Sequence, residues 1–357
     1  MAITLTEASK LSNDVLLQGI IETIIKDSPV LQELPFIQIV GNGLTYNQEQ
    51  ALPSVAWYNV GDEWAESTPT FKQLTAVLKV LGGDADVDNF LKSTRSNIQD
   101  LEAAVIEQKA KAVRHEFENC FINGDIGSNP KQFDGAYKLL KGTAWEAATA
   151  YALNAVVVPT IGKENGWEYR CTVAGTSHAT TEPTWPTAEG GTVVDNTVTW
   201  TCQLGSHLGS GASGAALSLT TLDKLIDQVR GGKPDMLLMS RRSRRKINNL
   251  ARAAGTTLET KLNEWGTFIP FYNGIPVAVN DWIKNDYTVG GSSDCSIMFA
   301  LQFGEGALCG LSSPEMLQVE RIGSLEIKDA TRTRVKWYTS LALFSARTAG
   351  LLSGVRD

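Results

Sequence analysis

Residue types that perform catalysis are few in this sequence, and they are not grouped. The 357 residues include three histidines, His115, His178 and His207, and five cysteines without CxxC spacing. Ser177 precedes His178, but two adjacent residues do not make a nucleophile and its base without a third group that orients them. The GxSxG, GxxxxGK[ST] and HExxH motifs are absent. The sequence therefore predicts neither an enzyme nor a cofactor or metal site.

A second kind of candidate site consists of aromatic side chains in a long irregular segment. ALPSVAWYNVGDEWAESTP, residues 51–69, separates two stretches of strand character and contains Trp57, Tyr58 and Trp64. Aromatic side chains at the tip of such a loop commonly bury against a partner, and packing between the two strands of the loop is the alternative. We expect these three residues to make contacts between subunits.

Residues 143–204 differ in composition from the rest of the chain. They contain four of the nine tryptophans, and their six acidic and two basic residues give a net charge of −4 out of a total of −7. Short alternating runs predict strands, with a hairpin turn at Asp195 and Asn196. We expect a small all-β domain inserted here, followed by a flexible tether over the Gly- and Ser-rich residues 205–214.

The inserted segment holds two sets of candidate site residues. Trp145, Tyr151 and Trp185 are candidates for binding polysaccharide, whereas Trp167 and Trp200 lie in alternating strands and are expected in the core. Cys171 and Cys202 also lie in predicted strands, and they can form a disulfide if their Cα atoms come within about 7 Å. Two reduced thiols packed as small apolar groups are the alternative.

Composition excludes several classes of protein. A hydrophobic content of 43% is sufficient for a sizeable core, and the acidic balance argues against a dedicated nucleic-acid binder. No run approaches the roughly 18 apolar residues that a membrane span needs. The opening MAITLTEASK lacks a basic start followed by an apolar run, so we expect no secretory signal and synthesis in the cytoplasm.

Several helices are predicted to position these segments. An apolar stripe from Leu16 to Ile25 predicts a docking helix that Pro29 ends, and residues 96–122 form the longest helical pattern, with Ser96 as its N-cap. Between them, Asp84, Asp86 and Asp88 predict a solvated turn before a helix, since a calcium loop would need Gly and Glu where Asn89 and Arg95 stand.

A basic helix is predicted in the second half of the chain. Residues 220–230 form a helix, 235–239 a buried strand, and 240–254 a second helix capped by Ser240 that contains RRSRRK. A nucleic-acid patch is one interpretation. A solvated or salt-bridging surface between subunits is favoured, because the chain as a whole is acidic.

Five segments in order carry a resemblance to a known family. They are FINGDIGSNPKQFDGAYKLL after the long helix, LSLTTLDKLIDQVRGGKPDMLLMSRRSRRKI, FYNGIPVAVNDWI, SIMFALQFGEGALCGL and TRTRVKWYTSLALFSARTAGLLSGV. Together they resemble the major capsid protein of tailed bacteriophages with the HK97 fold, over nearly the whole chain apart from the insert. The inserted segment resembles small Trp-rich β modules of phage virion proteins.

The resemblance implies an α+β fold with a defined order of domains. The implied parts are an N-terminal arm (1–43), an extended loop (44–82), a peripheral domain with the long spine helix (83–142 and 318–357), the inserted β domain (143–204), the tether (205–214) and an axial domain (215–317). It also implies hexamers and pentamers that tile an icosahedral shell around double-stranded DNA, held without sequence-specific contacts and without a membrane. Scaffolding, portal and decoration proteins are the implied partners, the host cytoplasm is the implied place of assembly and the virion its destination.

The founding member of the fold cross-links its shell covalently, and this sequence departs from that pattern. There, a lysine on the extended loop forms an isopeptide bond with an asparagine near the C-terminus of a neighbour. Here the tip from Glu49 to Pro69 contains no lysine, and no asparagine follows Asn285. We therefore expect a shell without covalent cross-links.

Two alternatives remain open at this point. Encapsulin-type compartments share the fold, and a carbohydrate-binding virion protein could display the Trp-rich segment as its working part. The inserted segment favours a virion over a cargo compartment, and the order of the five segments favours a shell protein over a glycan binder.

Overall fold

A computed structural model describes residues 2–4, 24, 28–51, 55–64, 66, 70–95, 101–262 and 268–357. Apart from Ile24, the predicted docking helix lies outside these residues, and so does the predicted N-cap Ser96. The chain forms two large sheets, two small two-stranded sheets and six helices within the described part.

The helices agree with the capping signals of the sequence. They are α1 (Pro29–Glu33), α2 (Asn89–Arg95), α3 (Leu101–Asn123), α4 (Ala136–Lys141), α5 (Leu219–Gln228) and α6 (Arg241–Ala253), and a 3-10 turn covers Ala346–Thr348. Ser240 caps α6 as predicted, because its side chain accepts a hydrogen bond from the Ser243 amide. Ser28 caps α1 and Pro29 is its first residue, because proline fits the first turn of a helix. The end of the predicted preceding helix lies outside the described residues.

The strands account for most of the remaining regular structure. The first eleven are β1 (Ala2–Thr4), β2 (Pro35–Gln38), β3 (Gly43–Ala51), β4 (Thr70–Val77), β5 (Lys79–Asp88), β6 (Ala150–Tyr151), β7 (Val156–Val157), β8 (Asn165–Val173), β9 (Gly175–Thr176), β10 (Thr192–Asp195) and β11 (Val198–Gly209). The others are β12 (Ala215–Ala216), β13 (Met236–Met239), β14 (Glu259–Leu262), β15 (Phe268–Tyr272), β16 (Ile275–Val279), β17 (Tyr287–Val289), β18 (Ser292–Leu301), β19 (Leu308–Ser324), β20 (Ala330–Leu343) and β21 (Ala349–Arg356).

A five-stranded sheet carries the long helix α3. Its order is β1-β2-β19-β20-β5, and the antiparallel pair β19 and β20 forms its centre. The apolar face of α3 packs on this sheet, where Phe117 stacks on Trp337 with ring centroids 4.7 Å apart and Phe36 contacts both rings. All three rings are almost fully buried.

Part of the implied N-terminal arm, from residue 28 onward, belongs to the core between α3 and the five-stranded sheet. Val30, Leu31, Leu34 and Phe36 have no exposed surface, and β2 pairs in parallel with β19. Residues 28–39 thus bury their apolar side chains within their own subunit, and the boundary of the arm at residue 43 stays a prediction.

A twelve-stranded sheet forms the second layer. Its main path is β14-β15-β16-β13-β18-β21-β11-β8-β7, with β10, β12 and β17 paired at its sides. Strand β13 is buried on both faces: Met236 and Leu238 face the core that contains α3, whereas Leu237 and Met239 face α5 and α6. A sheet covered on both sides produces such an unbroken apolar run.

The path of the last strands corrects two domain boundaries. Strand β19 begins at Leu308 in the five-stranded sheet, which is nine residues before the implied end of the axial domain at residue 317. Strand β21 lies in the twelve-stranded sheet between β18 and β11, so residues 349–356 do not return to the peripheral part. Sheet pairing between distant segments decides both boundaries, and local composition does not reveal it.

The acidic run at Asp84, Asp86 and Asp88 lies in β5, so the predicted solvated turn is wrong. Arg334 on β20 donates to both carboxylate oxygens of Asp84 at 2.6 and 2.9 Å, and Arg332 does the same to Asp86 at 2.6 and 2.7 Å. The arginines lower the pKa of both carboxyl groups. Cross-strand pairing thus explains an alternation of charges that resembles a metal loop.

Candidate functional site: the extended loop and the small β module

The extended loop (residues 44–82) begins as a hairpin that is anchored at its base. Strands β3 and β4 pair from Gly43 and Val77 outward to Ala51 and Thr70. At the base, Tyr46 packs against Phe344 with ring centroids 4.7 Å apart, and Leu44 and Ala76 cover an apolar cluster of the five-stranded sheet. The anchored base fixes the direction in which the rest of the hairpin projects.

The tip of the loop (residues 55–66) presents aromatic side chains to solvent. Trp57 is fully exposed and Trp64 is 80% exposed, while Tyr58 stacks on Trp64 with centroids 4.4 Å apart. A short turn shapes the tip, in which the Asn59 amide donates to the Asp62 carboxylate at 2.6 Å. Exposure within their own chain is what a contact between subunits requires, and that contact stays a prediction.

The small β module (residues 143–204) has a core of its own. Strand β8 pairs with β11, and the strands bury Trp200 and Tyr169 completely. Trp185 stacks on Tyr169 at 4.2 Å and meets the edge of Trp200, which Tyr151 contacts from another direction. The predicted hairpin is present, but its turn residues are Asn196, at φ +56°, and Thr197, and Asp195 is the last residue of β10.

Asp195 is the polar centre of this core, and sequence reasoning treated it only as a turn residue. Its buried carboxylate accepts hydrogen bonds from Trp145 Nε1 at 2.8 Å, Trp200 Nε1 at 3.2 Å and the His178 amide at 2.8 Å. Buried indole N–H groups need such a partner. One carboxylate therefore holds both rings in fixed positions.

The three candidates for polysaccharide binding all make contacts within the module. Trp145 is 6% exposed and donates to Asp195; Trp185 is half-buried and donates from Nε1 to Glu182 at 2.9 Å. Tyr151 accepts from the Glu146 amide at 2.8 Å. Each ring therefore has a packing role within the module, and a role in glycan binding stays a prediction.

Cys171 and Cys202 are buried free thiols rather than a disulfide. The register pairs Trp200 with Cys171 and Cys202 with Tyr169, so the two cysteines are diagonal neighbours. Their Sγ atoms donate to different carbonyls, those of Val173 at 3.2 Å and Pro186 at 3.3 Å. Burial raises the pKa of both thiols, that of Cys202 to about 11. The alternative, two reduced thiols packed as small groups, matches this structure.

The predicted tether is a strand over its first half. Residues 205–209 complete β11, which pairs in parallel with β21 from His207 and Leu351 to Gly209 and Ser353. Ser206 and His207 are buried. The prediction of flexibility is therefore wrong for this part, because neighbouring strands supply the hydrogen bonds and burial that the small residues do not.

His207 is the main polar group at the junction of the module and the large sheet. Its Nδ1 lies 3.1 Å from the Lys141 carbonyl, so Nδ1–H donates there and Nε2 accepts from Ser353 Oγ at 3.0 Å. Burial lowers the pKa of His207 to about 4, and burial raises the pKa of Glu164, whose Oε1 lies 3.7 Å from Nε2. No signal in the sequence connected these two residues.

The basic helix α6 is partly neutralised within its own subunit. Arg241 holds the Asp281 carboxylate with two hydrogen bonds, at 2.5 and 2.7 Å. Arg242 and Arg245 both contact Asp357. Arg244 and Arg252 instead line an open groove of about 290 Å³ beside the helix.

No described helix combines the length and the apolar character needed to cross a membrane. Within the same ranges, no three His, Cys, Asp or Glu side chains are gathered as ligands of a metal would be.

Comparison with known proteins identifies the family. The model of the SU10 major capsid protein family matches residues 9–305, which is most of the chain. No curated protein sequence matches.

Solved structures show the same fold at low sequence identity. The holo-SrpI encapsulin complex from Synechococcus elongatus PCC 7942 is 13% identical, with a TM-score of 0.59 over 99% of this chain and 96% of that chain. The capsid of the native GTA particle is 12% identical, with a TM-score of 0.55 over 92% and 90%. The structure from Mycobacterium phage Adephagia is 13% identical, with a TM-score of 0.53 over 92% of this chain and 90% of that chain. The chain therefore belongs to the SU10 major capsid protein family and is a shell-forming phage capsid protein with the HK97-like α+β fold.

Proposed function

We propose that this chain assembles through hexamers and pentamers into an icosahedral shell around double-stranded DNA, and that the extended loop joins neighbouring subunits. The observation that carries the proposal is the aromatic tip on a hairpin with an anchored base: Trp57 and Trp64 are exposed in their own subunit. Exposed aromatic clusters of this kind mark protein interfaces, where burial of the rings supplies much of the binding energy.

The two sheets correspond to the two domains that such a shell uses. The five-stranded sheet with α3 is the peripheral domain, and the twelve-stranded sheet with α5 and α6 is the axial domain. The small β module is an insertion that projects from the outer surface, where its acidic side chains keep particles apart in solution. Scaffolding, portal and decoration proteins are the further partners, assembly takes place in the host cytoplasm and the role of the chain is structural rather than enzymatic.

An encapsulin-type compartment is the second candidate, since one of the similar structures is an encapsulin complex. The two candidates differ in their contents. A virion shell purified from infected cells contains double-stranded DNA, whereas a compartment contains protein cargo and no genome. Nuclease-protected DNA in the particles separates them.

The experiment for the loop is the double variant Trp57→Ser and Trp64→Ser. Val194 and Leu153, which are exposed on the small β module, provide the matched control variant Leu153→Ser and Val194→Ser. Both variants should give folded subunits by circular dichroism, and only the loop variant should fail to form shells in negative-stain images. Normal shells with unchanged thermal stability from the loop variant would refute its role.

A further inference from the structure

The groove beside α6 contains two arginines that their own subunit does not neutralise. Arg244, Asn248 and Arg252 follow one another at intervals of four residues and line one side of the groove. Within the described part of the chain, neither arginine forms an ion pair with a carboxylate. Leu258 and Pro270 line the groove as well, so apolar and cationic groups lie together.

The tip of the extended loop has the complementary chemistry. Residues 52–69 contain Asp62, Glu63 and Glu66 and no basic residue. Glu63 and Glu66 are exposed and have no ion-pair partner among the described residues, and exposed Trp57 and Trp64 lie on the same tip. Arginine is suited to both kinds of group, because it pairs with carboxylates through parallel hydrogen bonds and stacks on indole rings.

We propose that the groove lined by Arg244, Asn248 and Arg252 binds the acidic, aromatic tip of the extended loop of a second copy of this chain. The proposal rests on the proposed function and names the surface that the loop contacts. The tip and the groove are different patches of one chain, so their contact is heterologous and repeats from subunit to subunit. A contact of this kind closes into a ring when the rotation between subunits permits it, as hexamers and pentamers require.

Double-stranded DNA is the competing occupant, and the groove is poorly suited to it. A phosphate-binding face needs an extended row of free cations, whereas Arg241, Arg242 and Arg245 of α6 are engaged by Asp281 and Asp357. The apolar lining also offers nothing to a phosphate backbone, and it fits an aromatic side chain.

A charge exchange tests the pairing. Glu63→Lys with Glu66→Lys, and separately Arg244→Glu with Arg252→Glu, should each reduce shell yield at least tenfold, because like charges then face each other. The variant that combines all four changes should recover most of the yield. The exposed residues Lys131 and Lys233 provide the control: Lys131→Glu with Lys233→Glu changes the net charge equally and should assemble normally.

Disulfide cross-linking measures whether the tip lies close to the groove, and its result does not depend on the yield of shells. Glu63→Cys with Arg244→Cys should give reducible oligomers on mild oxidation of shells, and Glu63→Cys with Lys131→Cys should not. The five native cysteines are buried and do not compete.

The possible outcomes separate the two proposals. If the wild-type chain forms no shell, the proposed function fails. Suppose that the wild type forms shells, that both charge-reversed variants also form them, and that the Glu63→Cys and Arg244→Cys variant gives no cross-linked oligomers. Only the assignment of the groove is then overturned. Shells of the Arg244→Glu and Arg252→Glu variant that form normally but hold less DNA would assign the groove to DNA instead.

Discussion

The Nε2 atom of His207 lies 3.0 Å from Oγ of Ser353, and this contact connects the strand that leaves the small β module with the last strand of the chain. His207 also donates to the Lys141 carbonyl, so one buried imidazole links three segments. The module is thus continuous with the twelve-stranded sheet through β11.

The position of His207 predicts a destabilisation of the subunit in acid. Burial lowers the pKa of His207 from 6.5 to about 4, so the unfolded chain binds more protons between these two pH values. The stabilising contribution is complete above pH 6.5 and is lost as the pH falls to about 4, with a total of about 3 kcal/mol. His207→Gln should therefore lose less stability than the wild type over this range, as measured by urea unfolding of unassembled subunits.

Glu164 has the opposite effect on the pH dependence of stability, and it therefore supplies the control. Its raised pKa means that the folded state takes up a proton more readily, so its contribution to stability decreases as the pH rises through the raised pKa. The comparison of His207→Gln with its parent is therefore repeated in a Glu164→Gln background. Parallel pH profiles of parent and His207→Gln in both backgrounds would contradict the assignment.

Asp195→Ala should weaken the small β module strongly. The substitution leaves two indole N–H groups and the His178 amide without their acceptor, and we expect a loss of roughly 3 kcal/mol or more. Hydrogen exchange of the β8 and β11 amides measures the loss directly. Exposed Glu189 on the same module is the control, and Glu189→Ala should change stability by less than about 0.5 kcal/mol. Equal exchange rates in the two variants would show that Asp195 is not the centre of the core.

All five cysteines should titrate as free thiols when shells are denatured without reductant. They are buried, and burial raises the pKa of Cys120 to about 11 and of Cys309 to about 12, so native shells should react slowly with alkylating reagents. A count of three thiols per chain would instead demonstrate a disulfide.

Shells boiled in SDS with reductant should give a single band near 38.6 kDa. The tip from Glu49 to Pro69 provides no lysine, and the chain after Asn285 provides no asparagine for an isopeptide bond. Lys72 lies on β4 rather than at the tip, and Lys79 donates to the Pro130 carbonyl at 2.7 Å. A ladder of covalent oligomers would overturn the expectation of non-covalent assembly.

The sequence predicted features that depend on neighbouring residues and missed those that depend on distant ones. The Ser240 cap, the hairpin that turns after Asp195 and the exposure of Trp57 follow from local residue types, and the structure shows all three. The prediction of a flexible tether was wrong for residues 207–209. The Gly- and Ser-rich composition of the predicted tether does not show that β21, over 140 residues later, pairs with these three residues.

The features of the candidate site also divide into those that neighbouring residues predict and those that depend on distant residues. Tryptophan content located the small β module but could not separate ligand-binding rings from core rings, since that depends on where each N–H group finds its acceptor. Trp145 and Trp200 share the carboxylate of Asp195, which lies 50 residues from the first and five from the second.

Electron cryomicroscopy of particles formed by the purified wild-type chain shows whether the chain builds a shell through its extended loops. We expect closed icosahedral shells of hexamers and pentamers, in which the tip of each extended loop lies against a neighbouring subunit and Trp57 and Trp64 are buried. A monodisperse monomer under all assembly conditions, or closed shells in which both indole rings remain exposed to solvent, would contradict it.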